Sequence, residues 1–251
     1  MKILHIDLEL APNLATVWGL FKQNIGINQL LETSRVMCFA AKWNDAEDII
    51  YKSEFHDSHE EMIKELHRLF SEADAVVTYN GASFDIPVAN REFLLYNFNP
   101  PAPYKGIDLI QTVRKKFRFV SNKLDHVSKE LELGSKLQHE GHTLWLKCMN
   151  KDPEAWQTFK DYNIMDVILL EKLYKRILPW IDNHPSHALF DGADRIVCTN
   201  CGSDHLHSRG IQHTKTLSYR RFQCTKCGTW MKARTAEKQE NRNNILTQVG
   251  L

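Results

Sequence analysis

The amino-acid sequence predicts an α/β protein, a mixed β-sheet flanked by helices and followed by a small cysteine-bearing unit. Three observations carry this. Short apolar β-rich runs come first, and amphipathic helical stripes then alternate with further short strands to about residue 180, the order that lays helices on a mixed sheet. Four of the six cysteines fall in two C-x-x-C pairs between residues 198 and 227. The length of 251 residues, with 43% hydrophobic and 25% charged residues, suits one medium domain plus something small.

Residues 2–10 (KILHIDLEL) read as a mostly apolar strand, and Thr16–Leu20 and Val36–Trp43 as two more β-rich runs. Ser58, with Glu61 three residues on, forms a capping box that opens a helix with the stripe Met62, Ile63, Leu66, Leu69 and Phe70. Ala75–Tyr79 is a buried strand followed by the loop Asn80-Gly81-Ala82-Ser83. Pro87 suits the first turn of a helix running to about Phe98. A Pro-rich loop, a short strand over Gly106–Leu109 and helical segments over Ile110–Phe117 and Leu124–Glu130 come next. The longest helix starts with Asp152 as N-cap and Pro153 behind it and runs to Leu178. The expected domains are 1–182, a linker over 183–195, a cysteine unit over 196–235 and a polar tail over 236–251.

No apolar run is long enough to span a membrane. The first ten residues hold Asp and Glu where a signal peptide needs an apolar stretch, so an intracellular, cytoplasmic protein is expected. Residues 1–185 hold 22 Lys and Arg against 26 Asp and Glu, a net of −4, whereas residues 186–251 hold 10 against 5, a net of +5. A basic end on an acidic body points to a polyanionic partner.

The pair Cys198 and Cys201 is followed directly by Gly202, and the pair Cys224 and Cys227 by Gly228, which supplies the backbone freedom of a tight turn. Four thiolates close a tetrahedral shell around one structural Zn²⁺ with no position left open, so His205 and His207 are expected to lie outside it. The pattern resembles a zinc ribbon. Arg220 and Arg221, among Tyr219, Phe222, Trp230, Lys232 and Arg234, suit contact with a nucleic-acid backbone together with base stacking. The same aromatics also suit a minimal core, and a protein partner for the ribbon stays open. Cys38 and Cys148 read as buried structural thiols.

Asp7 and Glu9 end the first apolar strand, where a period of two puts both carboxylates on one face. Two like charges beside an apolar strand call for a cation between them. Asp85 follows the loop after Tyr79, either as a ligand or as the cap of the next helix. Tyr162 and Asp166 share one face of the long helix, among apolar residues that give an Asp no ordinary reason to be there.

Asp7-x-Glu9, Asn80-x-x-x-Phe84-Asp85 and Tyr162-x-x-x-Asp166 together resemble the three exonuclease motifs of the DEDD superfamily, in its DEDDy branch. The segment Lys123–Leu131 with Lys136 is similar to the connecting stretch of family-B-polymerase-type proofreading domains. The resemblance covers about residues 1–180. It implies an RNase H-like fold and a stand-alone 3′–5′ exonuclease of a kind found in phages and bacteria, acting in the host cytoplasm if phage-encoded. Two Mg²⁺ or Mn²⁺ ions would be held by Asp7, Glu9, Asp85 and Asp166. Tyr162 would orient water, and Asn80 and Phe84 would contact substrate. The implied substrate is nucleic acid with a free 3′ end, single-stranded and DNA in preference to RNA, and the products are nucleoside 5′-monophosphates. The alternatives are an RNase H-like endonuclease or resolvase, and a non-catalytic protein that binds nucleic acid or a polymerase.

Overall fold

The computed structural model describes residues 1–190, 192, 194–238 and 245–246, so the tail expected over 236–251 lies mostly outside the described residues. By contact the chain divides into residues 2–175 and, with Met1, residues 176–251. Strand β1 (Ile3–Leu10) leads into an arm in which β2 (Leu14–Ala15) pairs antiparallel with β3 (Leu30–Glu32). There follow β4 (Val36–Trp43), β5 (Ile50–Ser53), α1 (His59–Glu72), β6 (Ala75–Thr78), α2 (Asp85–Leu95), β7 (Lys105–Asp108), α3 (Leu109–Lys116), α4 (Leu124–Glu130), α5 (His142–Met149) and α6 (Pro153–Ile177). Five strands form the central mixed sheet in the order β5-β4-β1-β6-β7. β4 is antiparallel to β1 and β5, while β6 is parallel to β1 and β7.

The alternation along β1 decides what lies on each side of the sheet. Leu4, Ile6 and Leu8 join the α1 stripe of Met62, Ile63, Leu66, Leu69 and Phe70 in one apolar core. The odd residues face α6: the His5 ring meets Tyr174 edge-on at 5.1 Å, and Asn163 reaches Asp7. A second core, with Trp156, Phe159, Leu144 and Cys148 against Met37 and Cys38, fills that side. Both expected caps form. Ser58 and Glu61 exchange side-chain-to-backbone hydrogen bonds at the start of α1, and Asp152 accepts the Glu154 and Ala155 N–H groups at 2.9 and 3.3 Å.

The strand expected over Thr16–Leu20 does not form. Those residues belong to the arm between β1 and β4, where Trp18 is 99% exposed and Leu20, Phe21 and Ile27 are also out in solvent. A β-rich composition with no surface to pack against does not make a strand. Among the described residues no helix is long and apolar enough to cross a membrane.

The smaller unit carries β8 (Leu206–His213), β9 (Ser218–Cys224) and β10 (Trp230–Lys232) as an antiparallel sheet in the order β10-β9-β8. Its two cysteine turns share one pattern. Gly202 and Gly228 take φ of +71° and +86° and donate to the carbonyls of Cys198 and Cys224, both at 3.0 Å. Asn200, buried, donates to the carbonyls of Leu178 and Ile181 at 2.8 and 3.4 Å.

Candidate active site

The carboxylates of Asp7 and Glu9, from the end of β1, meet that of Asp166, from the middle of α6, with one oxygen of each within 4.8 Å of the others. Asp166 is 1% exposed, and its Oδ1 is buried with no hydrogen-bond partner, while Lys136 Nζ lies 2.5 Å from its Oδ2. The same ammonium donates to the Tyr162 hydroxyl at 3.1 Å. Tyr162 is held in a box of rings, with His139 edge-on at 4.6 Å and Trp145 at 6.3 Å. The expectation that Tyr162 and Asp166 share a helix face is met.

This crowding has an electrostatic cost. Burial, then Glu9, Asp166 and Asp85, push the Asp7 carboxyl well above the usual carboxylate range, against the pull of Lys136. Burial and Asp166 lift Glu9 to about 8. Burial raises Asp166 as well, although Lys136 opposes it. Burial alone would lower the Lys136 ammonium, yet Asp166 and Tyr162 carry it above the ordinary lysine value. Burial and Asp166 raise the Tyr162 hydroxyl, so it stays protonated at neutral pH. Three converging carboxylates, one with an unpartnered buried oxygen, supply the hard oxygen donors of a divalent-cation site, and the Lys136 ammonium offsets part of their charge.

Asp85 stands apart from that cluster. It is the first residue of α2, and its Oδ1 accepts the Leu8 N–H at 3.1 Å, which ties the helix start to β1 beside Asp7. Burial lifts it to about 6, with that hydrogen bond pulling the other way. Asn80 lines a cavity of about 580 Å³ with Asp7, Arg114, Lys123 and Lys136. Phe84 lines a different one of about 480 Å³ with Leu10, His142 and Trp145. Two residues of one loop therefore face two cavities.

Sequence reasoning missed three contributors. Asn163, buried, donates through Nδ2 to Asp7 Oδ2 at 2.8 Å and to the Asp7 carbonyl at 3.2 Å, while its Oδ1 faces the Cys38 thiol. An amide next to Tyr162 inside an apolar helix was the signal. Asp108 holds the 80–83 loop by accepting the N–H groups of Asn80 at 2.7 Å and Ala82 at 3.2 Å. Lys136, recognised only as part of a connecting stretch, reaches the site from 30 residues away in sequence.

The four sulfurs of Cys198, Cys201, Cys224 and Cys227 also lie within 4.8 Å of one another and form no disulfide. Cys198 faces Cys227, and Cys201 faces Cys224, each at 3.6 Å. The hydrogen bond between Cys198 and Cys227 pulls the Cys227 thiol down to about 4 and pushes that of Cys198 up, so the close pair shares one proton. Four converging soft donors fit one zinc-type ion. His205 and His207 are exposed and outside this cluster. Arg220 and Arg221, neighbours in sequence, fall on opposite faces of β9, with Arg220 paired to Glu237 at 3.1 Å.

A family model described as the RNase H superfamily matches residues 27–178. Comparison with curated proteins finds no sequence match. The fold is similar to that of the family B DNA polymerase from the hyperthermophilic archaeon Pyrobaculum calidifontis, with a TM-score of 0.53 and 17% sequence identity. The similarity covers 71% of this chain and 24% of the polymerase chain.

Proposed function

The chain belongs to the RNase H superfamily, and from that premise we propose that it is a metal-dependent 3′–5′ exonuclease of the DEDDy type. The carrying observation is the convergence of Asp7, Glu9 and Asp166 around a buried, unpartnered Asp166 oxygen, with the Tyr162 hydroxyl bonded to the same lysine. Likeness to a polymerase fold supports a nucleic-acid substrate.

Asp7, Glu9 and Asp166 would hold one Mg²⁺ or Mn²⁺, and Asp85 would support a second, directly or through water. Such ions, when bound, lower the pKa of water and neutralise phosphate charge. Asn163 orients Asp7 by its two hydrogen bonds, so the carboxylate does not have to be immobilised when substrate arrives. Tyr162, kept neutral, positions a water through its hydroxyl and does not abstract a proton. Lys136 pulls Asp166 towards ionisation against its burial and holds the tyrosine oxygen in place. Asn80 and Phe84, on separate cavities, would grip different parts of the terminal nucleotides. In the smaller unit, Cys198, Cys201, Cys224 and Cys227 would hold one structural Zn²⁺ as a ribbon.

A single strand labelled at its 5′ end, with Mg²⁺ or Mn²⁺, tests this directly. Stepwise shortening with release of nucleoside 5′-monophosphates supports the reading, and DNA and RNA strands run side by side give the preference. Internal fragments at the outset would indicate an endonuclease or resolvase. Binding without hydrolysis, unaltered by Asp7→Ala, would indicate a non-catalytic protein.

A further inference from the structure

The four-cysteine unit bears a surface that the chemistry above does not use. Between Asp204 and Glu237 the sequence has seven Lys and Arg and no carboxylate. The strand register sorts these side chains onto two faces. One face carries Arg220 and Phe222 and borders an apolar groove of about 610 Å³ that also includes Met231 and Leu206. Arg220 is neutralised there by Glu237.

The other face carries Tyr219, Arg221 and Gln223, with Lys232 opposite Arg221 and Trp230 opposite Gln223. The Arg221 guanidinium lies 4.9 Å from the Trp230 ring centre, and Lys232 Nζ lies 4.3 Å from that of Tyr219. Arg221 is held in place by two hydrogen bonds to the Arg209 carbonyl, at 3.0 and 2.8 Å. From β8, the register adds His207 and Gln212 to this face, so no residue paired across it is aliphatic or acidic. Trp230 is 52% exposed, far more than a core residue would be.

We propose that this face is a platform for single-stranded nucleic acid, with bases stacked on Trp230 and Tyr219 and phosphates on Arg221 and Lys232. The proposal deepens the nuclease reading and rests on it for the class of ligand. Aromatic rings accept the π-face of any unpaired base, and a carboxylate-free cationic surface complements a phosphate backbone. Arg221 and Lys232 each cover a face of a ring, so an arriving base takes that face and turns the cation to its phosphate, and a paired duplex does not expose its bases to such a ladder. Arg220, already paired with Glu237, takes no part.

The test uses the full zinc-loaded chain in magnesium-free buffer, with binding of a short fluorescent oligothymidine strand read by anisotropy. Trp230→Ala and Tyr219→Ala should each weaken binding about tenfold with zinc content unchanged. Arg221→Gln and Lys232→Gln should each flatten the log–log salt slope by about 0.7. Arg220→Gln should stay within about twofold of wild type, as expected for an exposed charge already paired. Wild-type affinity in both aromatic variants overturns the proposal, as does an Arg220→Gln loss equal to that of Arg221→Gln. If Trp230→Ala releases zinc, the two glutamine variants decide, since both keep the rings, and unchanged salt slopes then refute the platform. A wild-type chain that ignores the strand but binds an acidic protein overturns it too. Hydrolysis of the p-nitrophenyl ester of thymidine 5′-monophosphate by the wild-type chain, with Mg²⁺ added, reads the nuclease chemistry separately. If the nuclease reading alone is wrong, the ester is not cleaved but the binding pattern persists.

Discussion

Loading the carboxylate cluster with a divalent cation should expel protons. Glu9, lifted to about 8 by burial and Asp166, is about 90% protonated at pH 7 in the metal-free chain. Ligation needs the ionised form, so Glu9 alone releases about 0.9 proton per protein at pH 7 and about 0.1 at pH 9. Asp7, also pushed up, adds to that number, whereas Asp85 at about 6 contributes only about 0.1 at pH 7. The same one-unit gap makes apparent metal affinity at pH 7 about tenfold weaker than well above pH 8. Calorimetric titration of Mg²⁺ or Mn²⁺ in buffers of different ionisation enthalpy reads the proton count from the slope. Lys136→Met should raise the count, because the ammonium pulls Asp7, Glu9 and Asp166 towards ionisation. Stability is linked in the same direction. Between about pH 4.5 and 8 the folded chain keeps a Glu9 proton that the unfolded chain has lost, so the metal-free fold weakens as pH rises through that window and metal restores it. A proton count near zero at pH 7 would refute the reasoning, since it means that the three carboxylates tolerate one another without a cation.

Three further outcomes follow from the same geometry. Tyr162→Phe keeps the ring inside its aromatic box and removes only the hydroxyl, so turnover should fall at least tenfold with metal affinity nearly unchanged; parallel kinetics and metal titration separate this from a packing role. Asn163→Leu keeps the volume but strips Asp7 of its buried donor, an interaction of about 1.5–3 kcal/mol, so metal affinity should drop tenfold or more while the fold survives in circular dichroism. His5, fully buried and lowered to about 4 by that burial, binds fewer protons folded than unfolded between about pH 4 and 6.5. It therefore subtracts up to about 3 kcal/mol of stability as pH falls through that range, and urea midpoints of His5→Leu should lack that part of the acid slope.

Much of the site was legible because its signals are local. The period of two put Asp7 and Glu9 together, and the i, i+4 spacing did the same for Tyr162 and Asp166. Val36–Trp43 and Leu124–Glu130 form with the bounds read from the sequence. What stayed hidden depends on contacts distant in sequence. Asn163 meets Asp7 across 156 positions, and Lys136 meets Asp166 across 30, so neither pairing leaves a periodic trace. Asp108 falls in the short strand expected over Gly106–Leu109, but nothing in the sequence shows that its carboxylate reaches the 80–83 loop. The edge strand Ile50–Ser53 and the helix His142–Met149 were missed because each is short and its stability comes from packing more than from propensity. Thr16–Leu20 failed the other way, with propensity but no neighbour to pair with.

β1 pairs antiparallel with β4 along its length, Asp7 and Glu9 included, whereas its parallel pairing with β6 covers only Ile3, Leu4 and His5. A strand end held by one long ladder opens only with that ladder. Asp7 and Glu9 therefore move with β4, and Asn163 anchors Asp7 from α6. Asp85 hangs differently, at the end of a loop that Asp108 suspends by backbone N–H groups and that includes Asn80 at φ +70°. Its tether to β1 is one hydrogen bond, from Leu8. The carboxylates thus split into a set held by the sheet and α6 and one on a short leash, and on the proposed nuclease reading accommodation to sugars or bases of different shape would fall to the leash.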